Sequence, residues 1–422
     1  MSSSGRPTRL AVIGQGYVGL PLAMRAVDVG FDVVGYDVDS ERIKQLAAGI
    51  SYVEDIPDQQ LEAALESGHY QPTDDPERIA GFDVTVIDVP TPLSDGVPNL
   101  SFVEDAASAV GRHLRPGCTV ILESTSYPGT TEELVAPILE AGSGLTAGRD
   151  FHLGYSPERI DPGNPTWRLE NTPKVVSGVD EASLEAVREF YGRIVEQTVS
   201  VSGTREAELT KLLENTFRHV NIALVNELAM FAAELDIDVW EAIDAASTKP
   251  FGYLRFTPGP GVGGHCLPID PSYLSWKVRR SLGQPFRFVE LANDVNEHMP
   301  DYVVRRLILA FNRMGRTVQG SRILILGMAY KRNTGDSRGA PGTVIAQSLE
   351  ALGAAVRVVD PHLERESVPH PLVELTAEEV AAADGVLLVT DHDAFDYDLV
   401  RAHAAYVLDT RNRLDGPTIE RL

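Results

Sequence analysis

The chain predicts an α/β protein with two doubly wound parallel-sheet domains, joined by a long central helix and a helical middle domain. Three observations carry that prediction. Short apolar runs alternate with helix-period stretches over roughly the first 200 residues. Residues 204–237 then contain neither Pro nor Gly and keep helical periodicity throughout. Near residue 320 the alternating texture returns. Strands that alternate with helices imply parallel βαβ units. The expected division is 1–204, 205–317 and 318–422.

In chain order, "RLAVIG" reads as a strand, "VGLPLAMRAVDVG" as a helix and "DVVGYDV" as a second strand. "DVTVIDVP" and "CTVILEST" repeat the short apolar run ending in turn or polar residues. "EAGSGLTAGRD" is a loop, followed by the strands "FHLGYS" and "PKVVSG". The Pro- and Gly-free stretch would make a helix of roughly 45–50 Å. More helices follow, interrupted by "TPGPGVGG" at 257–264. In the last third, "RILILG", "AAVRVVD", "DGVLLVT" and "AYVLD" read as strands. The two ends suggest a distant internal repeat, although the second has no Gly-x-Gly-x-x-Gly.

Composition narrows the class. The 422 residues are 43% hydrophobic and 23% charged, ordinary for a globular protein with ample core. A formal charge of −24 argues against nucleic acid or an anionic membrane as partner. An anionic substrate would then need local cations. Two cysteines, Cys118 and Cys266, cannot build a disulfide framework, which points to a reducing cytosol. No signal segment and no long apolar run is present, so a soluble, cytoplasmic protein is expected.

"VIGQGYVG" places Gly14, Gly16 and Gly19 after a strand and at the opening of a helix. The first glycine makes the tight turn, the second admits a pyrophosphate, and the third allows close helix–strand packing. Tyr17 and Val18 lie inside the same turn. The phosphates would sit against the free N–H groups at the helix start. Asp37 ends the second strand about twenty residues on, where an acid binds the adenosine ribose hydroxyls. It would repel a 2′-phosphate, so NAD is expected rather than NADP. Arg42, in the following helix, is a further cofactor candidate, and a cation there would suit a 2′-phosphate.

On the long helix Lys211 and Asn215 stand four residues apart and share a face, with Arg218 and His219 near the same stripe. "GVGGHCLPID" sets Cys266 behind a run of glycines and just ahead of Asp270. Taken singly, the helix pair is a solvated face and the cysteine a buried small hydrophobe. Beside a dinucleotide site they become candidates for chemistry.

Five stretches, "GPGVGGHCLPIDPSYLSWK", "TKLLENTFRHVNIALVNELA", "ESTSYPGTTEE", "YSPERIDPGNP" and "AYKRNTGDSR", resemble the nucleotide-sugar 6-dehydrogenases, the UDP-glucose/GDP-mannose dehydrogenase family. The resemblance covers essentially the whole chain, in the same order. "STKPFG" followed by "PGPGVGGHCLPIDP" is most similar to the UDP-N-acetylglucosamine and UDP-N-acetylmannosamine branch. The resemblance implies two Rossmann-like domains and a four-electron oxidation of a sugar CH2OH to a carboxylate by two NAD. It makes Cys266 the nucleophile, and Lys211 the acid/base that with Asn215 stabilises the oxyanion. Asp270 orders the hydrolytic water or orients Lys211. Thr125 holds a water near the nicotinamide, and Thr91 lines the cofactor. Glu158 and Arg159 lie at the sugar end.

Two positions depart from the pattern. The UDP-glucose branch carries a second Glu where "RIDPG" stands here, which leaves open whether Asp161 takes the role of hydrolytic base. Asp88, in "VIDVPTP", occupies a position expected to be small or apolar.

The resemblance further has Tyr330 and Lys331 reach the substrate and Arg338 the cofactor, with Gly261 and Arg218 beside the sugar nucleotide and Arg411 a further candidate. It implies a homodimer or higher homo-oligomer through the helical middle. His219 and His265 lack the clustered spacing of a metal site, so no metal is expected. UDP-N-acetylglucosamine is the expected substrate. The alternatives are UDP-glucose as substrate, or a non-catalytic nucleotide-sugar-binding protein on the same scaffold.

Overall fold

The computed structural model describes residues 7–53, 55–94, 96–161, 164, 166–264, 267–365 and 368–422. Cys266 and His265 lie outside the described residues. The chain forms two compact units, residues 1–214 and 215–422.

The first unit is a largely parallel sheet. Its strands are β1 (Arg9–Ile13), β2 (Asp32–Tyr36), β3 (Tyr70–Thr73), β4 (Val84–Ile87), β7 (Thr119–Leu122), β8 (His152–Tyr155), β9 (Lys174–Gly178) and β10 (Thr198–Ser200). The hairpin β5 (Leu93–Ser94) and β6 (Val97–Pro98) stands apart. Sheet order is β10-β9-β8-β7-β4-β1-β2-β3, and only the β8–β9 pair is antiparallel among its described ladders. The order reverses between β1 and β4, which is where open α/β sheets bind ligands. Helices α1 (Gly19–Asp28), α2 (Ser40–Ala47), α3 (Asp58–Glu66), α4 (Ser101–His113), α5 (Ala136–Ser143) and α6 (Glu181–Ile194) flank these strands. Leu10, Val12, Leu20, Phe31, Val86 and Tyr191 belong to one buried core between sheet and helices.

Helix α7 (Thr204–Glu234) fills the stretch without Pro or Gly, for 31 residues. Three more helices follow: α8 (Val239–Ser247), α9 (Asp270–Leu282) and α10 (Arg287–Arg313). The second unit's parallel sheet runs β12-β11-β13-β14-β15. Its strands are β11 (Arg322–Leu326), β12 (Ala355–Val359), β13 (Gly385–Leu388), β14 (Val407–Asp409) and β15 (Ile419–Arg421), with helices α11 (Pro341–Ala351), α12 (Ala377–Ala382) and α13 (Tyr397–His403). Both faces are packed: Ile323, Ile325 and Leu387 point to one core, Leu324, Val386 and Leu388 to the other. That alternation within near-continuous apolar runs is expected of a parallel sheet covered on both sides.

The short strands β3, β10 and β15 add to the elements expected from sequence. β3 reads "YQPT", whose Pro72 and polar Gln71 hide its β character. Its edge position at the end of the sheet order explains why proline is tolerated there.

Candidate active site

Strand register builds the first half of the site. Ile13 stands opposite both Tyr36 and Ile87, so Gly14, Asp37 and Asp88 leave their strands side by side. Gly14 takes φ +97°, and a Cβ there would fall 1.9 Å from the Asp88 carbonyl oxygen. A Cβ on Gly19 would lie 2.0 Å from the Gly14 carbonyl oxygen. Both positions therefore exclude any side chain. At Gly16 a Cβ would meet nothing within 4 Å, so its backbone faces open space. Helix α1 begins at Gly19 with no side chain capping its first N–H groups. An uncapped helix start behind an open glycine suits a pyrophosphate, and the cradle fits a dinucleotide.

Asp37 is buried and oriented. Its Oδ2 accepts from Gln15 N at 2.8 Å and from the Arg42 guanidinium at 2.9 Å, and its Oδ1 accepts from Asp39 N at 3.0 Å. A carboxylate has about four lone-pair sites, so acceptor capacity remains for a ribose diol. Arg42 is held by Asp37, and its guanidinium lies 5.4 Å from the centre of the Tyr52 ring. Exposed Tyr17 and half-buried Val18 complete the turn.

Thr91 follows β4, and Thr125 follows β7, both half-buried. Ser124 ties these two strand ends together, its Oγ accepting from Val89 N at 2.8 Å. On α7, buried Lys211 donates to the Glu158 carbonyl oxygen at 2.7 Å and stands 3.3 Å from Glu158 Oε2. Burial pushes the Glu158 carboxyl up, against the opposing pull of Lys211 and Lys174. Arg159 points its guanidinium at Glu214, 2.6 Å away, and at the Pro173 carbonyl oxygen. It thereby ties the "SPERID" loop to α7. Asp161 accepts from the Asn164 side chain at 3.0 Å.

Glu208, one turn before Lys211 on the same helix, anchors the start of the helical segment that follows β7. It accepts from Gly129 N at 2.5 Å, Thr131 N at 2.8 Å and the Thr131 hydroxyl at 2.7 Å. Burial raises its pKa to about 7 despite these donors. The "ESTSYPGTT" segment is thus fixed to the helix that carries Lys211.

The second unit holds the remaining candidates. Asn215 Nδ2 donates to Asp270 Oδ2 at 2.6 Å, and both residues are buried. Asp270 opens α9, where a carboxylate also complements the helix dipole. His219 is buried and bonded to Asn293, and burial lowers its pKa.

The glycine loop before Asp270 lines a cavity of ≈ 380 Å³. Five cations reach that cavity: Arg218, Arg255, Lys331, Arg332 and Arg411. Asp391 is the one carboxylate among the lining residues. Gly261 and Tyr330 also face it. A Cβ on Gly264 would lie 2.8 Å from the Tyr330 ring, and one on Gly263 2.7 Å from the Gly339 carbonyl oxygen. These glycines let the loop lie flat on the "AYKRNTGDSR" segment. Arg411 is anchored through Nε to the Val389 carbonyl oxygen at 2.6 Å. Arg338 is paired in bidentate fashion with Asp336 and is exposed. Arg255, Arg332 and Asp391 were not among the residues expected from sequence. A surplus of cations in a strongly acidic chain is the signal that could have found them.

A glycine turn opening a helix, with an acid ending the next strand, marks a dinucleotide-binding protein of the doubly wound class. The chain belongs to the UDP-glucose/GDP-mannose dehydrogenase family. It matches that family's NAD binding domain over residues 8–195, its central domain over 205–298 and its UDP binding domain over 324–416. It is 37% identical over 388 residues to a UDP-N-acetyl-D-mannosamine dehydrogenase of Pyrococcus horikoshii, covering 92% of this chain and 90% of that protein. It is also 37% identical over 393 residues to a UDP-N-acetyl-D-glucosamine 6-dehydrogenase of Pseudomonas aeruginosa, covering 92% and 91%. A solved UDP-D-ManNAc dehydrogenase from Pyrococcus horikoshii superposes with a TM-score of 0.90 at 34% identity, covering 98% of this chain and 99% of that one. The chain is thus an oxidoreductase, an NAD-dependent UDP-sugar 6-dehydrogenase. Among the described residues, no helix is long and apolar enough to cross a membrane.

Proposed function

We propose that the substrate is a UDP-N-acetylhexosamine, UDP-N-acetylglucosamine, and that its C6 hydroxyl is carried to the uronic acid through a covalent Cys266 adduct. Bound NAD supplies the acceptor for the hydrides, one per NAD molecule. Lys211 removes the proton of the C6 hydroxyl, and Asn215 holds the resulting oxygen. The aldehyde left by the first hydride lacks the tetrahedral carbon that a second hydride loss requires. The Cys266 thiolate adds to its carbonyl carbon and forms a thiohemiacetal, whose oxygen takes a proton from Lys211. Loss of that proton and of the second hydride gives a thioester. Water, ordered by Asp270, adds to the thioester carbonyl and expels the thiolate, releasing the carboxylate. A cysteine suits both ends of this sequence because a thiolate attacks and leaves well.

The observation that carries the reading is the buried Asn215–Asp270 hydrogen bond at the start of α9. An amide and a carboxylate kept this close, four positions after Cys266, supply an oxyanion donor and a water-orienting acceptor. The N-acetylated substrate is supported by the "STKPFG…PGPGVGGHCLPIDP" loop and by the names of the relatives. The three-part division at 1–204, 205–317 and 318–422 belongs to the same reading, as do a cytoplasmic location and a role in making surface polysaccharide. Exposed Phe217, Leu224, Leu228 and Phe231 along α7 support a homodimer or higher homo-oligomer through that helix.

The test is incubation with NAD and a panel of UDP- and GDP-sugars, followed by mass spectrometry of the products. UDP-N-acetylglucosamine should outcompete UDP-glucose; the reverse preference overturns the substrate assignment. Cys266→Ala should lower uronic acid formation by about 10³-fold or more while binding NAD and substrate normally. Substantial acid from that variant would return Cys266 to a buried thiol beside the site.

A further inference from the structure

Asp88 is an acid where a small or apolar residue was expected, and its surroundings assign it a task. Its carbonyl oxygen lies 1.9 Å from the position a Cβ would take on Gly14. Its Oδ2 stands 3.3 Å from the position of a Cβ on Gly19, the first residue of α1. The side chain is therefore pressed against the phosphate-binding turn itself. Among the described residues, no hydrogen-bond donor reaches its carboxylate.

The charges around it are already matched to one another. Glu123, which follows β7, is bonded to Lys174 of β9 and to the Tyr191 hydroxyl of α6. Glu158, which follows β8, is paired with Lys211 of α7. Three carboxyls thus face two ammonium groups, and Asp88 is the one left over. Burial raises its pKa well above the carboxylate range, Glu123 and Glu158 push it the same way, and Lys174 and Lys211 oppose. A half-buried carboxyl without a donor, set beside two other carboxyls, is shifted toward its protonated form. A protonated carboxyl is a hydrogen-bond donor.

We propose that Asp88 is a further cofactor-binding residue, which as the neutral acid donates a hydrogen bond to the pyrophosphate of bound NAD and makes NAD affinity fall as pH rises. The proposal rests on the dinucleotide reading of the Gly14–Gly19 turn. Its sign follows from linkage: the protonated form binds, so affinity is full below the titration of Asp88 and is lost above it. There the ionised carboxylate both loses its donor and repels the phosphates.

The test is calorimetric titration of the whole enzyme with NAD, and separately with ADP-ribose, between pH 6 and pH 9.5. The wild-type dissociation constant should be flat at low pH and then rise by up to tenfold per pH unit. ADP-ribose, which has the pyrophosphate but no nicotinamide, should show the same rise. Asp88→Asn keeps a neutral donor, so it should bind tightly with no such rise. Asp88→Ala should bind several-fold more weakly than Asp88→Asn, also without the rise. An Asp88→Asn profile parallel to wild type overturns the proposal, as does an Ala variant that binds as tightly as the Asn variant. A rise seen with NAD but not ADP-ribose overturns the pyrophosphate as partner. Failure of the wild-type enzyme to bind NAD at any pH overturns instead the reading of the turn on which the proposal rests.

Discussion

The two units carry the same turn and use it differently. In the first, Gly14 leaves β1 and its N–H bonds the Tyr36 carbonyl at the end of β2. In the second, Gly327 leaves β11 and its N–H bonds the Val359 carbonyl at the end of β12, also at 2.8 Å. Both glycines have positive φ, +97° and +85°, and both lie under a backbone oxygen, Asp88 O in one case and Thr390 O in the other. An acid follows each second strand, Asp37 and Asp360. Beyond that point they diverge. The first turn passes into α1 after Val18 and leaves the helix's first N–H groups without a side-chain cap. The second runs through residues 328–340 before α11 begins, and the positions of Gly16 and Gly19 are taken by Ala329 and Arg332. Where the first offers bare backbone, the second offers the Lys331 and Arg332 side chains to a cavity.

The two acids show the same divergence. Asp37 keeps acceptor capacity for a ligand. Asp360 spends its own on the protein: Oδ2 accepts from Met328 N, Ala329 N and His392, and Oδ1 from His362 N. One strand–turn scaffold thus presents an uncapped helix start in one unit and cationic side chains in the other, and on the proposed function each is a way to hold phosphate. Which one it uses depends on whether a helix starts at once.

The comparison can be broken first at its common element. Gly14→Ala and Gly327→Ala each place a Cβ about 2 Å from a backbone oxygen at positive φ. Each should cost roughly 2–5 kcal/mol of stability in its own unit. Thermal or denaturant unfolding checks this, and a variant as stable as wild type would show the shared turn geometry to be wrong. A smaller effect should separate the two turns. Gly16→Ala meets no protein atom, so stability should hold while NAD affinity drops about tenfold, roughly 1.4 kcal/mol, from crowding of the pyrophosphate. UDP affinity, measured by the same titration, should not move.

Much of this was legible in the sequence, for reasons that differ between the two turns. Gly14 and Gly19 are forced by sterics and Gly16 completes their spacing, so the motif declares itself. Only Gly327 survives of that pattern in the second turn, so the repeat that the sequence texture suggests takes its residue-level match from the strand register. "GYDVD" and "RVVDPH" look alike on the page, yet Asp360 is buried against His392, and nothing in spacing reveals that. Asp88 was noticed as out of place, but its meaning lay in long-range neighbours, Glu123, Glu158, Lys174 and Lys211. β3, β10 and β15 were missed because three or four residues at a sheet edge carry too little periodicity.

The most direct test of the divided use of one scaffold is a double dissociation by calorimetry. Asp37→Ala should weaken NAD binding by at least about tenfold and leave UDP binding unchanged, because Asp37 is the proposed ribose ligand and is not among the residues lining the cation-rich cavity. Arg411→Ala should weaken UDP binding by a similar factor and leave NAD binding unchanged. If either variant loses both ligands equally while remaining folded, the two turns do not serve separate ligands and the account fails.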